Sequence, residues 1–314
     1  NAVDIAVVLY TTMTGMLVLT RHSLIPKANS ILIFHALILL VVAILPARGA
    51  RWESSPLVSL KKTARDIARF LRYTYPLALV VYFFEEVAHT VNVVVPAAPY
   101  WFEQYLYATD RWLFGELPTL LLAGWTGLVQ DELIHFFYFS YYPIVVGGAV
   151  IAWFGVNGTG RSQPGPGLET AMTTTILAYF LSFMWYPLLP ARGPWENPEV
   201  MAGLTPFQGV VFTPLMEWII GKGAVSGGCF PSSHVSGAWG MVLGLARFHR
   251  RPALILGFFA TGMSFACIYT RYHHAVDIQA GFLMAAIAAL IAYRVTPGPT
   301  LKKWPEASDK STAK

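Results

Sequence analysis

Apolar residues run through this chain in long stretches, separated by short breaks rich in Pro, Gly and basic side chains. Eight of them approach the roughly twenty residues that an α-helix needs to cross about 30 Å of hydrocarbon. Their approximate limits are 3–20, 30–46, 73–96, 132–156, 170–190, 231–248, 252–270 and 275–296. The pattern predicts an all-α, polytopic membrane helix bundle with about eight transmembrane helices. A further aromatic segment, 100–124, is broken by Asp110, Arg111, Glu116 and Pro118. It is expected to lie at the interface or re-enter the membrane rather than span it.

Composition agrees with the pattern. Of the 314 residues 55% are hydrophobic and only 12% charged, against about 25% charged in a soluble domain. The mean hydropathy is +0.51. A large soluble core is the weaker alternative. The first apolar run lacks a basic leader and an A-x-A-like exit, so it is expected to be a span and not a signal peptide. Cys229 and Cys267 show no metal-ligand spacing and imply no disulfide framework.

Charge sets a direction. Seven of the 22 basic residues fall in 47–72, one in 157–169, three in 247–251 and five from Arg294 onward. Alternating spans put all four segments on one side, which the positive-inside tendency makes cytoplasmic. The net charge of +5 is thereby explained by loops, and no nucleic-acid partner is expected. The segment 47–72 reads either as an amphipathic helix on anionic headgroups or as a plain basic loop. The sequon Asn157-Gly158-Thr159 falls on the cytoplasmic side, where it would not be used. The tail from Pro297 is polar and expected to be disordered.

With this direction, Arg192, His234, Arg271 and His273 all lie at the non-cytoplasmic ends of their spans. Ionisable groups at such positions in an apolar chain usually face a polar cavity. Pro231-Ser232-Ser233-His234 opens a span: Pro suits the start of a helix, and the amides and hydroxyls after it suit a phosphate. His273 and Asp277 are four apart and share a helical face. The carboxylate can fix the imidazole in one tautomer and make it a nucleophile or base; the bland alternative is a structural pair locking two helices. His274 is the rival imidazole, placed on a neighbouring face as a packing or supporting residue. Arg271 and Arg192 can each fork onto phosphate oxygens. Glu85, Glu86 and His89 lie in the third run, where Glu85 and His89 can pair; they either line a headgroup pocket or bind another helix. Asp131, Glu132 and His135 open the next run as an interfacial cluster that could touch a headgroup. No carboxylate cluster near these motifs suggests Mg²⁺.

Together these residues resemble the type 2 phosphatidic acid phosphatase superfamily, membrane lipid phosphatases and related phosphotransferases. The family's Pro-Ser-Gly-His motif corresponds to Pro231-Ser232-Ser233-His234, and its His-x-x-x-Asp to His273 and Asp277. The resemblance covers roughly 170–296. It implies a six-helix phosphatase-like core, here 73–296, preceded by two N-terminal spans and the basic segment (1–72) and followed by the tail (297–314). It also implies that His273 attacks phosphorus to form a phosphohistidine, that His234 protonates the leaving alkoxide, and that Asp277 orients His273. Arg192, Arg271, Ser232 and Ser233 would hold the phosphoryl oxygens. It implies no cofactor and no metal, with a membrane lipid as substrate. The chain departs from the family where Trp185 stands for a lysine, Cys267 for an arginine and Ser233 for a glycine; these departures resemble the branch with inositol phosphorylceramide synthases. Hydrolysis of a lipid phosphate at the outer leaflet of a cell membrane is therefore the leading expectation, with headgroup transfer to an acceptor lipid second. A transporter with a buried polar relay is the rival of another class. Transporters often carry inverted repeats and helices broken at the midplane, and neither is evident here.

Overall fold

A computed structural model describes residues 2–44, 62–95, 101–154 and 166–298. Among them the regular elements are helices, with one bridge between Ala191 and Gly228. In hydrocarbon every backbone polar group must be satisfied within its own segment, and long apolar runs meet that demand as helices. They are α1 (Ala2–Thr20), α2 (Ala28–Ile44), α3 (Lys62–Thr90), α4 (Glu103–Phe114), α5 (Pro118–Leu121), α6 (Leu128–Phe139), α7 (Tyr141–Phe154), α8 (Pro166–Phe183), α9 (Pro198–Met201), α10 (Phe212–Gly223), α11 (Ser233–Ala246), α12 (Arg250–Tyr269) and α13 (Ala275–Val295).

Among the described residues four stretches are long and apolar enough to cross a membrane: α1, α12, α13 and the α6–α7 pair, Leu128–Phe154. Their outward faces carry Leu9, Met16, Leu254, Phe258 and Leu290, each more than half exposed. Such a belt of large apolar side chains suits lipid and not water. The protein is an all-α polytopic bundle.

Most apolar runs and helices coincide within a few residues, but α3 and α8 end at Thr90 and Phe183, six and seven residues before the expected 96 and 190. Two further differences are informative. α3 starts at Lys62, so the described part of the basic segment is continuous with the third run. The run 132–156 divides at Ser140, whose hydroxyl donates to the Phe137 carbonyl at 2.6 Å. Pro143 follows in the first turn of α7, where its missing N–H costs no helical hydrogen bond. α4, at twelve residues, is too short to span, and its Trp112 is 82% exposed. Residues 45–61, the sequon and the tail from 299 lie outside the described residues.

α11 is the central helix, packed against α7, α8, α12 and α13. Its contact with α8 depends on small residues. A Cβ at Gly244 would sit 2.6 Å from the Ala171 Cα, and one at Gly240 3.1 Å from the Thr175 Cα. Close backbone approach of this kind replaces the missing hydrophobic drive between helices in lipid. Two polar links hold the N-terminal helices. Arg72 of α3 forks onto Asp4 of α1 at 2.9 and 2.6 Å, joined by Tyr75 at 2.8 Å. His35 of α2 meets Glu86 of α3 at 2.8 Å, with both side chains buried.

This packing predicts opposite outcomes for one substitution at two glycines. Alanine normally favours a helix by about 1 kcal/mol over glycine. Gly147, with open space around its Cα, should accept Ala with equal or higher thermal stability in detergent. Gly244→Ala must push α8 away and should lower stability by about 1–3 kcal/mol. Unfolding midpoints of the two purified variants check this.

Candidate active site

Three loops meet at one end of the bundle: the segment after α8, the segment before α11, and the turn between α12 and α13. Backbone hydrogen bonds stitch them together. The Ala191 amide donates to Gly227 at 3.1 Å and the Cys229 amide to Ala191 at 3.2 Å. The Trp195 amide donates to Arg271 at 2.9 Å, and the Ser232 amide to the Asp277 carbonyl at 3.2 Å. Residues more than 80 positions apart are thereby brought to one level.

At the centre lies Asp277, with no exposed surface. Its Oδ2 accepts from the His274 amide at 2.9 Å, which also caps α13, and from the Cys229 thiol at 2.8 Å. The same oxygen lies 3.2 Å from His273 Nδ1. A buried carboxylate requires such donors. Burial, reinforced by the charge of Asp277, pushes the Cys229 thiol well above its ordinary range, so it stays protonated and donates. With Nδ1–H directed at the carboxylate, His273 keeps its lone pair on Nε2. Ser232 Oγ stands 3.1 Å from that atom.

His234 sits in the first turn of α11, its ring centroid 6.0 Å from that of His273. Tyr138 and Tyr141 flank it at 5.5 and 4.7 Å. Both imidazoles, with Ser233 and Cys229, line one cavity of about 510 Å³. The walls are apolar and aromatic, from Val80, Val81 and Phe84 of α3, from Tyr138, Tyr142 and Tyr179, and from Ile219 and Ile220 of α10. Glu85, His89, Glu196 and Lys222 add polar groups. An apolar chamber with a few convergent polar groups suits an amphiphile whose polar end reaches the imidazoles.

The two expected arginines border this cavity without lining it. Arg192 donates through Nε and Nη2 to Glu103 Oε1 at 2.8 and 2.5 Å, and lies over the Trp101 ring at 4.9 Å. Arg271 takes a left-handed backbone (φ 68°). Its guanidinium donates to the Thr205 carbonyl at 2.8 Å and stacks on Phe207 at 4.1 Å. Lys222 is the one lysine or arginine among the described lining residues.

The remaining candidates separate by place. Glu85 and His89 line the cavity, but among the described residues no hydrogen bond joins them. Glu86 turns instead to His35. His274 bonds the Arg192 carbonyl at 3.2 Å and packs on Tyr107, a supporting position. His135 is fully buried against Asp131, Thr213 and Phe207, away from the cavity. Asp131 and Glu132 hold the segment before α10: Glu132 accepts from the amides of Val210, Val211, Phe212 and Thr213, and Asp131 from Gln208 and Tyr269.

No site role was expected of Cys229, Glu103, Asp110 or the tyrosines from the sequence. Asp110 of α4 accepts from the Ala275 and Val276 amides at 2.9 and 3.0 Å, completing the cap on α13. Only the carboxyl groups' presence in an otherwise aromatic interfacial segment hinted at that role.

A family model described as PAP2 superfamily matches residues 104–291. That interval holds His234, His273, Asp277, both arginines and the serines. No curated protein and no solved structure matches the chain. The matched interval covers more than half of the sequence, and the chain belongs to the PAP2 superfamily.

Proposed function

We propose that this membrane protein hydrolyses a lipid phosphate ester through a phosphohistidine on His273, at the non-cytoplasmic leaflet. The observation that carries the reading is the pair of imidazoles 6.0 Å apart on one cavity, one of them held by a buried aspartate. Family membership supports phosphatase-like transfer of a lipid phosphoryl group.

The lipid chain lies against the aromatic and aliphatic walls, with its phosphate between the rings. His273 Nε2 attacks phosphorus as the ester P–O bond breaks, and His234 gives a proton to the departing alkoxide. Asp277 stabilises the charge that develops on His273. Water then attacks the phosphohistidine, His234 takes the water proton, and the N–P bond breaks to free inorganic phosphate. Positioning and neutralisation of the oxygens supply most of the acceleration in such transfers. Ser232, Ser233 and the first-turn amides of α11 serve that role; no acidic side chain occupies this turn. Arg192 and Arg271 can add phosphate contacts by leaving the partners they now hold. The leaflet assignment rests on the asymmetry of Lys and Arg along the sequence.

A second reading is favoured by the extent of the cavity, which runs from the imidazoles to Glu85 and His89 on α3. A hydroxyl-bearing lipid accommodated there would take the phosphoryl group, or a phosphorylated headgroup, in place of water. An assay offering both water and an alcohol lipid decides between the two. Hydrolysis predicts free inorganic phosphate whose yield ignores the alcohol lipid; a phosphorylated lipid product would support transfer.

Two variants test the roles. Asp277→Asn keeps the shape of the side chain but loses control of the tautomer. Turnover should fall by about 10³-fold or more, with little change in KM. His234→Ala should slow turnover by about 10²–10⁴-fold yet still yield an acid-labile phosphoenzyme on rapid quenching, whereas His273→Ala should yield none. Full turnover in His273→Ala would remove the nucleophile from the scheme. Because each step is assigned to side chains and amides, turnover should persist in excess chelator, as measured by phosphate release.

A further inference from the structure

Cys229 closes a triangle with the two residues at the centre of the site. Its sulfur lies 2.8 Å from Asp277 Oδ2 and 3.4 Å from His273 Nδ1, and those two atoms are 3.2 Å apart. One thiol, one imidazole and one carboxylate thus present ligand atoms within 4.8 Å of one another. All three side chains are buried in the protein, yet Cys229 and His273 line the substrate cavity, so an ion has a route in. Asp277 Oδ1 is buried and has no hydrogen-bond partner among the described residues, so the carboxylate is not fully satisfied by the donors around it.

The dimensions fit a small tetrahedral ion. Zinc bonds of about 2.0–2.3 Å to nitrogen, oxygen and sulfur give ligand-to-ligand edges of about 3.3–3.6 Å. The nitrogen–oxygen and nitrogen–sulfur edges are already close to that range. The shorter sulfur–oxygen edge is a thiol–carboxylate hydrogen bond, and it opens when a metal replaces the proton. A donor set of sulfur, imidazole nitrogen and a single carboxylate selects zinc-like ions over Mg²⁺ or Ca²⁺, which take oxygen ligands.

We propose that Cys229, His273 and Asp277 form an inhibitory site for a zinc-class divalent ion, with the fourth position open to cavity water. On binding, the thiol releases its proton to solvent and the ion bonds Nδ1 of His273. The single ring proton then resides on Nε2, facing Ser232. A neutral imidazole has one lone pair, and the metal now holds it, so Nε2 cannot attack phosphorus. The ion switches the enzyme off by fixing the wrong tautomer. The effect on turnover rests on His273 being the nucleophile; the binding of the ion does not.

Cobalt(II) reports thiolate ligation directly by an intense near-ultraviolet charge-transfer band. Full-length protein in detergent, stripped with chelator, should develop this band with one Co²⁺ per chain and lose it as Zn²⁺ displaces cobalt. Cys229→Ser keeps a hydrogen-bond donor to Asp277 and hence the fold, and should lack the band; Cys267→Ala should retain it. In the wild type, phosphate release should fall in step with Zn²⁺ occupancy and return with chelator. The half-inhibitory concentration should drop about tenfold per pH unit, because one proton leaves. Absence of the band, or its survival in Cys229→Ser, overturns the site. A site that fills with Zn²⁺ while turnover stays constant overturns its inhibitory role. If His273→Ala also turned over fully, the nucleophile assignment would fail, and the cobalt titration would still decide the metal site on its own.

Discussion

The carboxylate of Asp277 is the constraint on which the site depends. It is fully buried at the start of α13, one of the helices long and apolar enough to cross a membrane. A charge in such surroundings is costly unless donors gather around it. Those donors come from two segments far apart in sequence: the His274 amide and His273 ring from the α12–α13 turn, and the Cys229 thiol from the loop before α11. The backbone carbonyl of the same residue takes the Ser232 amide. Satisfying one buried charge therefore docks the two histidine-bearing motifs against each other and fixes the tautomer of His273 as it does so.

The other acids at this end of the bundle do related work. Glu103 and Asp110 project from α4, a helix too short to cross a membrane. One grips Arg192 in the loop after α8, and the other caps α13. Asp131 and Glu132 fasten the segment leading into α10, the helix that supplies Lys222 and part of the cavity wall. Small residues set the spacing beneath, where Gly240 and Gly244 let α11 lie close to α8. Rigid packing in the apolar layer and acid-anchored loops above it hold the imidazoles in a fixed relation. Preorganisation of this kind is what phosphoryl transfer draws on.

Much of this was legible in the sequence because it is local. Apolar runs gave the helices, and Pro231 stands one residue before the N-cap of α11. His273 and Asp277 do meet, but His273 lies in the turn before α13, so the pair is made across the helix start and not along one helical face. The charges that interrupt 100–124 foretold that no helix there is long enough to span, and α4 has twelve residues. What was hidden is non-local. Nothing near Arg192 announces that Glu103, 89 positions earlier, holds its guanidinium. Nothing near Cys229 announces that its thiol meets a carboxylate 48 positions later; the spacing of cysteines could not show a cluster that needs only one. From the sequence Glu86 could line a pocket or bind another helix, and His135 could touch a headgroup from an interfacial cluster. The partners that decide lie far along the chain, with Glu86 meeting His35 and His135 packed against Thr213 and Phe207. The break at Ser140 was masked because Pro143 falls where a new helix tolerates it.

An experimental structure with orthovanadate, a mimic of the phosphoryl group in flight, tests the central claim most directly. The account predicts vanadium bonded to His273 Nε2 inside the cavity, with His234 within hydrogen-bond reach of the oxygen opposite that nitrogen. Vanadate seated on Arg192 or Arg271 outside the cavity, with neither imidazole touching it, would contradict the account.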